Sequence, residues 1–440
     1  MPFETDPQTL QDLALTGING QAAILQLFKP VTLGGVAVLK EMFDRPLNDI
    51  IIIQNRLGAI RFLDSKQLPI RLNKEECDFI EYYLKQYERL GTTSRYRAIK
   101  AHIQNWLKPS SQYYITLRGV RLLVHLLHHI ADVLNERHDL PALLKELQQQ
   151  THTLSHHIRP LLIQKSKSGQ RFSAMELEEL DFIFRYSKSL EVKKFMAALY
   201  QLDVFMAAAK PVRDAGFSYP EFITAHHPTL DLKGFFHPFI EKPIGNDIAF
   251  NYGKNLCFIT GANMAGKSTV LKSIGICTYL AHVGLPVPAA FMQTTVFNGL
   301  FTTINLSDNI MAGHSHFYRE VLRIKEVAVK VGAVQNLLVI FDELFRGTNV
   351  KDAYDASLSI IKAFTGVKNS VFIISTHIVE VAAELQDAGN LFFNCLTTGM
   401  VGDKAVYTYK LQPGISNERL GMRIIEDEGL VEIIRAQALT

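Results

Sequence analysis

Apolar residues recur at intervals of three and four from Asp6 to about Phe205. This spacing gathers them on one face of a helix and predicts a mostly helical region. The longest predicted helices lie between Lys74 and Arg97, between Leu117 and Asn135, and between Ser173 and Ala209. Helices of this length can form rods that transmit motion or can pack as an ordinary bundle. Periodicity alone leaves both interpretations open.

The helical pattern is interrupted between Lys210 and Pro220, where proline and glycine signals cluster. Beyond this point short β-rich runs alternate with helical stretches. The runs are Leu256–Thr260, Leu337–Phe341, Val371–Ser375, Leu391–Phe393 and Ala405–Leu411. Such alternation is typical of an α/β domain with a largely parallel sheet. We therefore predict a multidomain α and α/β protein, with a helical domain over residues 1–215 and an α/β domain over residues 216–440.

Composition restricts the class of protein. Of the 440 residues 48% are apolar and 20% charged, which favours packed cores over disorder. Neither a secretory signal nor a run of ~18 apolar residues is visible, so we expect no membrane partner and a cytoplasmic location. The cysteines lack the paired spacing of a zinc site or disulfide framework and indicate reduced thiols. They are Cys77, Cys257, Cys277 and Cys395.

A glycine-containing segment links the first predicted strand to a helical stretch. Its sequence is Gly261-Ala262-Asn263-Met264-Ala265-Gly266-Lys267-Ser268-Thr269. The pattern Gly-x4-Gly-Lys-Ser is typical of a P-loop, also called Walker A, in which backbone N–H groups and a helix N-terminus surround phosphate oxygens. Lys267 would reach the β- and γ-phosphates, and the Ser268 hydroxyl would bind Mg²⁺. The segment predicts nucleotide binding, with ATP and Mg²⁺ as cofactors.

Two further strands end in polar residues suited to ATP hydrolysis. Asp342 and Glu343 follow the run Leu337–Phe341. Asp342 would bind Mg²⁺, and Glu343 would orient and deprotonate the attacking water. His377 comes after Val371–Ser375 and could donate a hydrogen bond to the γ-phosphate. The alternatives are an acidic surface end of a strand and a structural histidine.

Residues 307–317 contain a Gly-x-Ser element formed by Gly313 and Ser315. Such an element can present a hydroxyl and N–H groups to phosphate, although alone it would be an ordinary loop before a helix. Its position between the P-loop and the Asp-Glu strand matches ABC-type ATPases, in which the signature loop of one protomer completes the ATP site of the other. This arrangement predicts a homodimer with composite ATP sites.

These motifs together resemble the MutS family of DNA mismatch-repair and recombination ATPases. The P-loop carries the unusual pair Asn263-Met264, and the stretch from Asp342 to Asn349 resembles Asp-Glu-(Ile/Leu)-Gly-Arg-Gly-Thr-Ser. The region around Thr9 is similar to the start of the helical core of the family, and Pro413 to Leu430 resembles its closing helices. The resemblance is thinnest between about Arg97 and Pro211.

The resemblance implies a helical core with a shortened lever, followed by the ATPase. The mismatch-reading and connector domains are expected to be missing, so we expect weak or absent mismatch recognition. Five positions depart from the family, among them Ala262 in place of a frequent proline and His316 in place of a frequent threonine. Ala265 replaces a glycine and fits if its φ stays negative. Phe345 stands where glycine is common, and Pro243 stands where many members carry a base-stacking aromatic residue.

Positive charge is concentrated between Arg95 and Arg171, where twelve Lys or Arg residues accompany four Asp or Glu residues. Clusters of this kind bind nucleic-acid backbones, although a solvated helical face is the alternative. The principal hypothesis is an ATP-driven, DNA-binding dimer in mismatch repair or recombination, acting on branched or otherwise non-standard duplexes, associated with the nucleoid, with possible repair or recombination partners. The alternative is an ATP-dependent dimeric switch or scaffold for protein partners.

Overall fold

The computed structural model describes residues 2–17, 22–86, 111–135, 137–168, 170, 172–304, 316–345, 348–376, 378–386, 388–401, 404–416, 429 and 433. The chain divides into two compact units. The first, which we call the sheet unit, comprises Met1–Leu27, Arg45–Gln54 and Pro211–Thr440. The second, which we call the helical unit, comprises Phe28–Asp44 and Asn55–Lys210.

The α-helices and β-strands of the described residues are numbered in chain order. The helices are α1 (Pro7–Asp12), α2 (Leu33–Asp44), α3 (Ile50–Lys66), α4 (Lys74–Lys85), α5 (Ser111–Leu134), α6 (Ala142–His156), α7 (Pro160–Lys167), α8 (Ala174–Phe182), α9 (Ser189–Asp214), α10 (Lys267–Val283), α11 (His316–Ala333), α12 (Val350–Thr365) and α13 (Glu380–Ala383). The strands are β1 (Glu221–Phe222), β2 (Leu230–Phe235), β3 (Asn246–Phe250), β4 (Leu256–Gly261), β5 (Phe291–Thr294), β6 (Gly299–Thr303), β7 (Leu337–Phe341), β8 (Val371–Ser375), β9 (Leu391–Val401) and β10 (Lys404–Pro413). Within the described part, no helix is both long and apolar enough to span a bilayer.

A buried polar cluster ties three helices of the helical unit together. Tyr83 of α4 donates a hydrogen bond to Asp181 of α8 at 2.7 Å, and Arg185 pairs with the same carboxylate at 2.5 Å. Gly119 of α5 lies directly against the Tyr83 ring, where a Cβ would come within 2.2 Å. Removing one member of the ion pair would leave a buried charge without its partner. The cluster therefore fixes how α4, α5 and α8 pack.

The sheet unit contains a six-stranded sheet with the order β10-β9-β4-β8-β7-β6. The five strands from β9 to β6 are parallel, and β10 pairs antiparallel with β9. Strands β7 and β8 are buried along their whole length, as expected for strands covered on both faces. A smaller sheet has the order β1-β5-β2-β3. The predicted mixed fold, helical and α/β with a mostly parallel sheet, is confirmed.

The first residues of the chain pack onto the edge of the six-stranded sheet. Glu4 forms a parallel bridge with Gly299 of β6. Asp12 accepts hydrogen bonds from the Thr302 hydroxyl and the Ile304 N–H, each at 2.8 Å. The sequence predicts residues 1–215 as one helical domain, but these contacts place the first 27 residues in the sheet unit. The difference arises because the pairing joins segments that lie far apart in sequence.

One predicted helix differs from the structure in two ways. The stretch from Ser173 to Ala209 is not one helix, because a π-helical turn at Ile183–Ser187 separates α8 from α9. Helix α9 continues through Pro211 to Asp214, beyond the predicted interruption. A proline removes one N–H donor from a helix, but the carbonyl of Pro211 still accepts from Ala215 N–H at 2.9 Å. The helix therefore continues for one more turn.

Candidate nucleotide-binding site

The segment of residues 261–269, which we call the glycine loop, connects buried β4 to the first turn of α10. Three of its residues have positive φ angles: +152° at Gly261, +68° at Met264 and +99° at Gly266. Glycine tolerates this region without steric cost, whereas a side chain at Met264 is strained. Ala265 is not among the residues with positive φ, so alanine fits at this position in place of glycine. The loop thereby turns its backbone around the N-terminus of α10.

A cavity of about 540 Å³ opens between the glycine loop and the end of β7. It is lined by Asn263, Met264, Gly266, Lys267, Ser268, Thr269 and Glu343. The N–H groups of the first turn of α10 have no intrahelical acceptors, and the helix dipole adds partial positive charge there. The cavity therefore combines features that bind phosphate groups.

Lys267 is buried, with 5% of its surface exposed. Its Nζ donates to the Gly261 carbonyl at 2.9 Å and to the Ala262 carbonyl at 3.2 Å. Burial lowers the pKa of the Lys267 amino group, while the nearby carboxylates of Glu343 and Asp342 act in the opposite direction. A phosphate oxygen would replace these carbonyls as a stronger, charged acceptor. The amino group of Lys267 thus lies within the glycine loop.

Asp342 follows β7 and faces the glycine loop from the neighbouring part of the sheet. Its N–H donates to the Thr303 carbonyl at 2.9 Å, and its carboxylate accepts hydrogen bonds from the Ser268 and Ser375 hydroxyls. Burial raises the pKa of the Asp342 carboxyl, and the two hydroxyl hydrogen bonds oppose that change. The Ser268 hydroxyl and the Asp342 carboxylate therefore lie side by side.

These two groups fit Mg²⁺, which prefers oxygen ligands and needs only one or two from the protein when phosphates supply others. A cluster of three or more His, Cys, Asp or Glu side chains able to hold a metal does not occur in the described ranges. Residues Ser268 and Asp342 would thus share the ion with nucleotide oxygens and water, as the sequence predicts.

Glu343 lines the cavity beside Lys267. Its φ of +52° lies in the left-handed region, which is unusual for a glutamate. The Glu343 N–H donates to the Ser375 Oγ at 3.1 Å and so holds this turn. A carboxylate at the edge of this cavity has the chemistry of a general base for water.

Comparison with known proteins agrees with this geometry. Residues 257–440 match the family described as MutS domain V. The MutS protein homolog 4 of Mus musculus is 30% identical over 250 residues, which cover 54% of this chain and 25% of the relative. The DNA mismatch repair protein MutS of Anaplasma phagocytophilum (strain HZ) is 31% identical over 235 residues, or 52% of this chain and 28% of the relative. The protein of the same name from Geobacillus thermodenitrificans (strain NG80-2) is 28% identical over 291 residues, or 60% and 31%.

Residues 257–440 belong to the MutS family. The chain spans between a quarter and a third of the length of these relatives, with shares from 25% to 31%. The family match covers the part of the sheet unit from β4 onward and therefore includes the glycine loop, Asp342 and Glu343.

Three predicted residues of the MutS-like site, Gly313, Ser315 and His377, lie outside the described residues. The structure does describe the residues that flank the segments with these positions, 305–315 and 377. Ile304, before residues 305–315, is held by Asp12. Thr376 Oγ1 accepts the Ile378 N–H at 3.1 Å across residue 377. The roles of the three residues stay predictions.

One departure from the MutS pattern has a structural consequence. Phe345 has a φ of +60°, which glycine adopts readily and phenylalanine does not. Its ring is buried and lies 5.6 Å from the ring of Phe317 in α11. The position therefore keeps the left-handed backbone typical of glycine while adding an aromatic contact to the core.

Sequence reasoning missed an aromatic residue beside the glycine loop. Tyr409 lies at a register shift in β10, where its φ is +53°. Its ring is so near Gly266 that a Cβ there would come within 3.3 Å of Cδ1. Asn246 of β3 holds the shift by donating to the Tyr409 carbonyl at 3.0 Å and accepting from Leu411 N–H at 2.7 Å. Nothing in the local pattern of apolar residues marks Tyr409, because the bulge depends on this distant asparagine.

Proposed function

We propose that this chain binds ATP with Mg²⁺, hydrolyses it, and uses the cycle to control DNA handling in mismatch repair or recombination. One observation carries the proposal: a cavity of about 540 Å³ is lined by Lys267, Ser268 and Glu343, with Asp342 beside them. Membership of the MutS family supports the coupling of this site to DNA.

The residues of the site would have the following roles. N–H groups of the glycine loop and the Lys267 amino group would bind the β- and γ-phosphates. Mg²⁺, held by Ser268 and Asp342, would neutralise charge that develops on the phosphate oxygens. Glu343 would orient a water molecule and accept its proton, and His377 would donate a hydrogen bond to the γ-phosphate.

Tyr409 supports a more specific proposal about the nucleotide. The exposed tyrosine ring lies next to Gly266, which itself lines the cavity. Aromatic rings stack readily on bases because both present π-faces. Pro243, the position where the family resemblance suggests an aromatic residue, provides no such ring. We infer that Tyr409 contacts the base in this chain.

We further propose that the sheet unit is an ABC-type P-loop ATPase that acts as a homodimer. Gly313 and Ser315 of one protomer would then complete the ATP site of the other. A Ser315→Ala chain and a Lys267→Ala chain should each be inactive alone, since each lacks one half of every site. Mixing them should restore one working site per heterodimer. Absence of any recovered ATPase activity would contradict a shared site.

The DNA part of the proposal rests on the basic segment between Arg95 and Arg171. In the helical unit, exposed Lys145 and Arg118 are the candidates for phosphate contacts. The guanidinium of Arg118 lies 4.5 Å above the Phe79 ring, which fixes its position without neutralising its charge. Branched or otherwise non-standard DNA is the proposed substrate class.

The alternative is an ATP-dependent dimeric switch or scaffold for protein partners. Part of the basic segment is already neutralised within the helical unit, which favours this alternative. Arg159 pairs with Glu179 at 2.5 Å, and Lys165 pairs with Glu176 at 2.7 Å. The charges of Arg159 and Lys165 are therefore less available to the phosphate groups of DNA.

Equilibrium binding of the Glu343→Gln protein to DNA distinguishes the two functions. Matched, mismatched and four-way-branched duplexes would be titrated with ATP and Mg²⁺ across a salt series. The DNA hypothesis predicts a preference for branched DNA, weakening with salt, and a further loss in a double variant with Arg118→Glu and Lys145→Glu. Lys351→Glu, an exposed charge reversal in the sheet unit, is the matched control. Retained ATP binding with no DNA affinity at low salt would establish the protein-partner alternative instead.

A further inference from the structure

Ser375 is the last residue of β8 and is completely buried. Its Cα pairs with that of Ile259 in β4 on one side. On the other side the last residue of β7, Phe341, pairs with Ile374. Ser375 therefore lies beside the backbone that leaves β7, between the strand of the glycine loop and the strand of the acidic pair.

The Ser375 hydroxyl makes two hydrogen bonds whose directions are determined by their partners. The Glu343 N–H can only donate, so Ser375 Oγ accepts from it at 3.1 Å. The hydroxyl proton is then donated to Oδ1 of Asp342 in a short hydrogen bond. A serine hydroxyl has one donor and two acceptor positions, so a single side chain serves both residues without conflict.

The first bond holds a strained turn. Glu343 is in the left-handed region at φ +52°, and such conformations cost on the order of 1–3 kcal/mol and persist only when the surroundings enforce them. The bond from Ser375 is one such enforcement. Because it fixes the backbone of Glu343, it also fixes the direction in which the carboxylate leaves the chain, toward the cavity.

The second bond orients the Asp342 carboxylate. With one oxygen accepting from Ser375, the carboxylate is held in the orientation in which it also accepts from the Ser268 hydroxyl. Hydrogen bonds behind a metal-binding carboxylate fix its orientation and strengthen metal binding. Ser375 lies in that supporting position.

We propose that Ser375 is a positioning residue that prepares Asp342 for Mg²⁺ and Glu343 for water at the same time. The inference rests on the proposed function, because it concerns the same site. The residue touches neither nucleotide nor metal, so its effect passes through the two acidic residues. Ser375 at the end of β8 thereby supports both the metal-binding carboxylate of Asp342 and the water-activating carboxylate of Glu343.

The test is nucleotide binding rather than turnover alone. Affinity for a fluorescent ATP analogue would be measured with EDTA and then across a Mg²⁺ titration. In Ser375→Ala, affinity in EDTA should stay within ~2-fold, while the half-saturating Mg²⁺ concentration should rise roughly 10–100-fold, the usual effect of losing such a supporting hydrogen bond. The turnover number should fall, with little change in KM at saturating Mg²⁺. Ser375→Thr keeps the hydroxyl and should restore Mg²⁺ dependence close to that of the unchanged chain.

Ser370→Ala is the matched control. Ser370 is also buried, precedes the other end of β8 and accepts a backbone N–H, from Leu337 at 3.3 Å, but it lies away from the acidic pair. A purely structural role for Ser375 predicts that both alanine variants lower the melting temperature and leave Mg²⁺ dependence unchanged, which would overturn the inference. Failure of the unchanged chain to bind ATP would instead refute the proposed function.

Discussion

His282 near the end of α10 provides a pH-dependent test of the sheet unit. The ring is fully buried; Nδ1 lies 2.8 Å from the Thr278 carbonyl, and Nε2 accepts the Phe297 N–H at 2.9 Å. Since Nε2 accepts, the single proton of the neutral ring must be on Nδ1, where it is donated to the carbonyl. Burial lowers the pKa of His282 to about 4. Protonation in the folded state would place a charge in the core and break the bond to Phe297.

The sign and size of the effect follow from linkage. The pKa of His282 is about 4 in the folded chain against 6.5 for an ordinary histidine, so the unfolded chain binds the proton more readily. Stability is complete above about pH 6.5 and declines as the pH falls toward 4. At ~1.4 kcal/mol per pKa unit the full loss is roughly 3 kcal/mol, of which about 2 kcal/mol falls between pH 7 and pH 5.

Urea unfolding at pH 7 and pH 5, followed by hydrogen exchange of peptides from the sheet unit, measures this loss. His282→Gln keeps an amide oxygen that can accept from Phe297 but does not titrate. The unchanged chain should therefore lose about 2 kcal/mol more than His282→Gln over this interval. His226→Gln, at an exposed histidine of the same unit, should behave like the unchanged chain. Parallel pH dependences of the unchanged and His282→Gln proteins would refute the reasoning.

Three substitutions test other parts of the sheet unit. Glu343→Gln should bind ATP yet hydrolyse it at least ~100-fold more slowly, because a general base is lost; single-turnover hydrolysis checks this, and unchanged turnover would remove Glu343 from the mechanism. Gly266→Ala should weaken ATP binding roughly tenfold or more, because φ +99° strains a side chain by ~1–3 kcal/mol; calorimetric titration measures the affinity. Asp12→Ala should destabilise the sheet unit by ~1–3 kcal/mol, because the N–H of Ile304 and the hydroxyl of Thr302 lose their acceptor. Thermal unfolding measures this loss, and Asp44→Ala, at an exposed aspartate outside this contact, is the control.

The strands that carry the acidic pair and the glycine loop could be predicted because each is a continuous apolar run. Strands β7 and β8 have the predicted limits, Leu337–Phe341 and Val371–Ser375, and β4 extends the prediction by one residue to Gly261. Parallel strands buried on both faces need apolar residues at every position, so the pattern reports burial directly. The glycine loop follows β4 and the acidic pair follows β7, so the proximity of Lys267 and Glu343 could also be predicted.

The parts that sequence reasoning missed depend on contacts between distant segments. The short strands β1, β2, β3, β5 and β6 lack long apolar runs and were not predicted. The pairing of Glu4 with Gly299 and the bulge at Tyr409 require partners that no local window contains. Ser375 was part of a predicted strand, yet its two hydrogen bonds depend on register, which periodicity does not give.

Nucleotide binding is the step on which the other proposals depend, and the sheet unit alone contains the groups for it. Lys267, Asp342 and Glu343 are held by neighbours within that unit, namely Gly261, Thr303 and Ser375. Asp12 binds the backbone at Ile304, immediately before residues 305–315, which carry the predicted trans element. A change that disturbs Asp12 should therefore affect the dimer-dependent step more than nucleotide binding by one protomer. Equal loss of ATP affinity and ATPase activity in Asp12→Ala would contradict that separation and indicate a general loss of folding.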